Sequence, residues 1–130
     1  MANYEGYMRT NYFKVNDVEK FKQIASDLGL DYWEDEERGF AFSTDDNFNT
    51  DQDLEGNEYD TVKKLQEILV DDGVIVITEV GHEKLRYLCG FSTIITKKEI
   101  ACVDLMQEII LKACALSGKS EEDIVEGMYY

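Results

Sequence analysis

The 130-residue chain has no proline, one histidine, one tryptophan and three cysteines, and it has few bases: 13 Lys and Arg against 28 Asp and Glu. Each shortage excludes something. A net charge of −15 repels phosphate and anionic lipid, so the chain is not expected to bind nucleic acid directly or to lie on a membrane. Purely apolar runs are only a few residues long, far short of the ~20 needed to cross a bilayer. Cys89, Cys102 and Cys114 include no close Cys-x-x-Cys pair of the kind zinc sites use. Each sits in an apolar pattern, and they read as reduced thiols buried in a core. No glycine-rich phosphate loop follows a candidate strand, which argues against a nucleotide-binding α/β domain. The opening residues Met1 to Tyr7 carry neither a basic nor an apolar signal segment, so the expected location is the cytoplasm.

What is present is folded in character. The chain is 44% hydrophobic and 12% aromatic, too apolar for a disordered acidic tail. Its length fits one domain. Residues 10–15 read as a first strand. Asn16 reads as the cap of a helix, with Glu19 at the reciprocal position, Val18, Phe21, Ile24, Ala25 and Leu28 at helical spacing, and Gly29 as the stop. Residues 30–34 and 39–43 read as a hairpin with Phe40 and Phe42 on one face. A polar stretch at 44–57 follows, long for a connection and therefore mobile or functional. A second helix is expected over 58–70.

Val74 to Val80 and Leu85 to Ile95 then form a second hairpin with Gly81 to Lys84 at its tip. Both of its strands are apolar on both faces, the mark of interior strands. Thr96, with Glu99 completing a capping box, is expected to start a third helix running to Ser117, with Gly118 as its stop. That helix is apolar around most of its circumference and should be buried on more than one side. A short last turn is expected within 120–125. The predicted fold is a single α+β domain of order βαββαββα, with an antiparallel or mixed sheet of about five strands and helices mainly on one face.

Charge is the most informative feature. Residues 31–60 hold twelve acids and one base, Arg38, so the segment carries −11 and the other hundred residues −4. One reading is a solvated surface that keeps the protein soluble. Another is a protein-binding surface that imitates nucleic acid and blocks a basic cleft, since B-DNA offers about one charge per 1.7 Å of axis. A third is a calcium loop over 47–58, which fails where Gln52 takes the required glycine position and Asn47 the usual aspartate.

Asp35, Glu36, Glu37, Asp45, Asp46, Asp51 and Asp53 are the candidate partner-binding residues, with Trp33 as an aromatic anchor. Core packing is the competing role for the aromatic residues of the first third. No catalytic residue, metal ligand or cofactor is expected. His82 with Glu83 reads as an exposed turn pair, no nucleophile sits in a recognisable elbow, and the enzyme reading ranks last.

Two stretches, Tyr7 to Val15 with the helix that follows and Gly81 to Tyr87, resemble small acidic proteins carried by phages and integrative conjugative elements of Firmicutes. The resemblance transfers no site residue. It implies an accessory gene of a mobile genetic element, a setting in which acidic inhibitors of restriction or CRISPR effectors occur. The leading expectation is a non-enzymatic protein that binds a basic, nucleic-acid-handling host protein through the 31–60 segment. The alternative is a small self-associating structural or regulatory domain whose acidity serves solubility. A homodimer through the 97–117 helix is compatible with both.

Overall fold

The computed structural model describes residues 4–44, 50–83 and 87–128. Ten elements follow in order: β1 (Tyr4–Thr10), α1 (Val18–Leu28), β2 (Asp31–Asp35), β3 (Gly39–Thr44), α2 (Thr61–Ile68), β4 (Val74–Glu83), β5 (Tyr87–Thr96), β6 (Ile100–Asp104), α3 (Leu105–Ser117) and α4 (Glu121–Met128). The six strands form one antiparallel sheet in the order β2-β3-β1-β4-β5-β6. The α+β class is as expected, with one strand more than the sequence suggested.

The first strand lies earlier in the chain than 10–15. Thr10 is buried, and its Oγ1 accepts from the Phe42 amide at 3.0 Å. Asn11 then continues the β4 ladder with its side chain: Oδ1 accepts from the Val76 amide at 2.8 Å and Nδ2 donates to the Val74 carbonyl at 3.0 Å. An asparagine that substitutes its amide for backbone lets the main chain leave the sheet, and Phe13 returns to it only as an isolated bridge to Phe40.

The cap of α1 is Asp17, which accepts from the Lys20 amide at 3.0 Å. Asn16 instead serves α2, donating its backbone amide to the Ile68 carbonyl at 2.7 Å. The helix stops as expected. Gly29 takes the left-handed φ of 66°, and Leu30 N–H reaches back to the Ala25 carbonyl at 2.9 Å, a Schellman closure. α2 is shorter than expected, with Asp60 as its cap.

α1 and α2 cover one face of the sheet. The core lies there: Phe21, Ile24 and Ala25 from α1, Leu65 and Ile68 from α2, Phe40 and Phe42 from β3, Ile75 and Ile77 from β4, and Ile95 from β5. Phe21 is central, its ring 4.6 Å from Phe40 and 5.8 Å from Phe13. Burying such a ring is worth about 3 kcal/mol, the top of the usual range for a large apolar side chain.

The chain between β5 and α3 differs most from expectation. Thr96 Oγ1 accepts from the Glu99 amide at 3.0 Å, the bond a capping box would make, but Thr96 N–H also donates to the Glu99 carbonyl at 2.8 Å. The pair closes a β-turn, and residues 100–104 return as β6. Lys97 Nζ pins this turn to the end of α2 through the Gln66 and Glu67 carbonyls. α3 starts later, capped by Asp104. It is not buried on several sides: Ile110 is its one buried residue among those described, and Leu105, Ile109, Leu111 and Leu116 are exposed. Leu105 lies over Gly90, on the sheet face opposite α1 and α2.

Two further expectations fail in the same region. Cys89 and Cys102 are exposed and Cys114 is half-buried, so none is a core thiol. β4 runs on to Glu83, so Gly81 and His82 are strand residues paired with Gly6 and Glu5 and do not form a turn. Lys84 to Arg86 lie outside the described residues. No helix of the described residues is long and apolar enough to cross a membrane.

Candidate functional site

β2 is an outer strand of the sheet. Its alternation sends Tyr32 toward the core side, where it meets Phe21 edge-on at 5.4 Å. Asp31, Trp33 and Asp35 therefore face the other side. Asp31 and Glu34 are exposed. Charged residues on an outer strand discourage pairing with a foreign strand, so these carboxylates have a structural use as well as a potential binding one.

Asp35 organises the β2–β3 turn. Its Oδ1 accepts from the Glu37 and Arg38 amides, both at 2.9 Å, and its Oδ2 from Arg38 Nη2 at 3.1 Å. These bonds, led by the Arg38 side chain, lower its pKa to about 2. Arg38 also stacks 4.0 Å above the Tyr12 ring. Asp35 is thus largely a turn residue whose charge is neutralised locally. Glu36 and Glu37, at the apex, are exposed. Gly39 completes the turn at φ 100°, where a Cβ would lie 2.2 Å from the Phe13 carbonyl oxygen.

Trp33 is half-buried rather than protruding. Its indole N–H donates to the Tyr12 hydroxyl at 2.8 Å, and Arg9 lies 5.5 Å from its ring centre. It closes the sheet surface beneath the acidic strand, which leaves it a weaker anchor than its sequence position suggests.

Asp45 and Asp46 lie outside the described residues. From Thr50 onward the acidic segment is ordered by its own bonds. Asp53 Oδ1 accepts from the Glu55 and Asn57 amides at 3.0 and 2.9 Å, and Gln52 bridges Glu58. Leu54 N–H donates to the Asp27 carbonyl at 2.9 Å, and its side chain packs beside Gly29. Tyr59 donates its hydroxyl to Asp27 Oδ2 at 3.0 Å; burial first, and Asp27 after it, push its phenol well above the usual range. Asp53, like Asp35, is committed to a turn. Asn47 and Asn49 of the considered calcium loop are outside the described residues, and among the described residues no cluster of three potential metal ligands occurs.

The described acids do not all converge on one pocket: Asp51, Glu58 and Asp60 line a hollow of about 380 Å³ with Thr50 and Tyr59, and the others lie apart from it. They form a ridge. Glu36 and Glu37 mark one end of β2, and Asp51 to Asp60 the other, beside the C-terminus of α1. Asp31 and Glu34 lie between, on opposite faces of a strand about 13 Å long, so the ridge follows the outer edge of the sheet and not one face. A ridge of this kind can attract a basic surface and speed its approach. Comparison with known protein families, with curated proteins and with solved structures found no match in any of the three.

Proposed function

We propose that this protein is a non-catalytic binding module that presents the acidic margin of its sheet to a basic protein. The observation that carries the reading is the ridge along β2, which belongs to a segment of net charge −11 and flanks the outermost strand. The narrower form of the proposal is an inhibitor of a nucleic-acid-handling host protein, acting from the cytoplasm as a mobile-element accessory. It rests on the charge pattern and on the sequence resemblance. Asp31, Glu34, Glu36 and Glu37 are the binding residues in this account; Asp51, together with Asp45 and Asp46, extends the field, while Asp35 and Asp53 shape the turns that display it.

The test reverses Asp31, Glu34, Glu36 and Glu37 together and leaves Asp35 and Asp53 intact so that both turns survive. Capture from a bacterial lysate at low salt should recover a basic protein with the native chain, lose it with the variant, and weaken it as salt rises. Equal recovery by a folded variant would remove the proposal. It would favour the alternative, in which acidity serves only solubility and the chain acts through self-association.

A further inference from the structure

A small hollow of about 150 Å³ lies where α1 and α2 meet. The two helices run antiparallel. Asn16, ahead of α1, bonds the Ile68 carbonyl at the end of α2, and Tyr59, ahead of α2, bonds Asp27 near the end of α1. The floor of the hollow is apolar, since Ile24 and Tyr59 line it and both are buried. Its rim is charged. One rim carboxylate is already spent: Asp27 accepts from Gln23 Nε2 at 2.8 Å and from the Tyr59 hydroxyl at 3.0 Å.

The other three charges are not spent. Lys20 from α1, with Lys64 and Glu67 from α2, line the same hollow and are exposed, and none of them makes an ion pair among the described residues. Lys64 Nζ instead lies 4.9 Å from the centre of the Tyr59 ring. Two ammonium groups and one carboxylate therefore surround one small apolar floor without closing on each other.

We propose that this hollow binds a small zwitterion, a free α-amino acid with a short apolar side chain. Its carboxylate lies between Lys20 and Lys64, its ammonium group on Glu67, and its side chain against Ile24 and Tyr59. Three observations select this class. The first is size. A cavity of about 150 Å³ holds a molecule as large as benzene, which suits a ligand of about six to nine non-hydrogen atoms and excludes a nucleotide. The second is pattern. Two free cations and one free anion match a carboxylate and an ammonium group carried on one carbon, each gaining charge-assisted hydrogen bonds. The third is the field of the whole chain. A simple anion must approach a net charge of −15, whereas a zwitterion has no net charge to be repelled.

The inference does not depend on what the acidic ridge binds, because Asp31, Glu34, Glu36 and Glu37 are not among the residues lining the hollow. Amide-resolved NMR spectra of the native chain titrated with L-valine should show saturable shifts at Gln23, Asp27, Tyr59 and Lys64. The dissociation constant should be about 1 mM or tighter, within reach of so small a ligand. 3-Methylbutyrate lacks the ammonium group and L-valine methyl ester lacks the carboxylate, so each should bind about tenfold more weakly. Lys64→Gln and Glu67→Gln should each weaken L-valine by about the same factor while far-UV circular dichroism stays native. Should either variant fail to fold, the two truncated probes on the native chain decide. Shifts that are absent, spread over the surface or unsaturated would overturn the proposal. So would truncated probes that bind as well as L-valine, or binding indifferent to both substitutions.

Discussion

The two ends of the sheet are built to different standards. At the β2–β3–β1 end, α1 lies over aromatic residues that are almost wholly buried, turns are locked by Asp17, Asp35 and Asp53, and the outer strand carries carboxylates. At the β6 end the outer strand Ile100–Asp104 is exposed at every residue, and α3 buries Ile110 alone among its described residues. The β2 end is a finished protein surface. The β6 end has the character of half a core, and it teaches that hydrophobicity in a sequence reports a need for burial without saying which chain meets it.

Substitutions can sharpen this contrast. The largest effect is expected at Phe21. Phe21→Ala should cost about 3–5 kcal/mol, read by urea denaturation, whereas Leu116→Ala in dilute protein should stay within about 0.5 kcal/mol. A comparable loss at both positions would break the comparison.

The glycines come next. Gly39→Ala meets both a left-handed φ and the Phe13 carbonyl, so it should lose about 1–3 kcal/mol from strain alone and more from the clash. Gly118 ends α3 at φ 72° with nothing within 4 Å of an added Cβ, and Gly118→Ala should cost only about 1 kcal/mol.

The smallest effect is at Glu79, opposite Met8 and Phe91 and between the two ends. Burial raises its carboxyl pKa above the ordinary 4.5. The unfolded chain then holds fewer protons than the native one between 4.5 and the raised value, so stability falls as pH rises through that window. Glu79→Gln should remove this fall and leave a slightly more stable protein at pH 7. At pH 3 the two proteins should match. A variant equally stable or less stable at pH 7 would contradict the assignment.

Much of the finished end was legible in the sequence. The β2–β3 hairpin, the Gly29 and Gly118 stops and the inward Phe40 and Phe42 rest on local rules that tertiary contacts had no cause to override. Where a residue had two uses, the sequence could not choose. Thr96 and Glu99 satisfy the same bond in a capping box and in a β-turn, and only the pairing of 100–104 with β5 decides. Asn16 is as good a cap as Asp17, but α2 claims it. Asn11 sits in a strand-like run and yet ends the strand with its side chain.

The candidate site was legible as composition and not as shape. Twelve acids in thirty residues announce a field, but nothing local tells that Asp35 and Asp53 are tied into turns, that Trp33 is clasped by Tyr12 and Arg9, or that Asp31 and Glu34 stand on the outermost strand of the sheet. The apolar circumference of α3 pointed to burial, and the same chain does not supply it.

Hydrogen exchange followed by mass spectrometry across a dilution series tests the division between the two ends most directly. Protection in α1, β3 and β4 near Ile75 and Ile77 should be independent of concentration, because one chain completes that core. Protection in α3 and in β4 near Val80 should be weak in dilute protein, because one chain leaves both exposed. Protection in α3 that matches α1 and ignores concentration would contradict the account, since the β6 end would then be complete in a single chain.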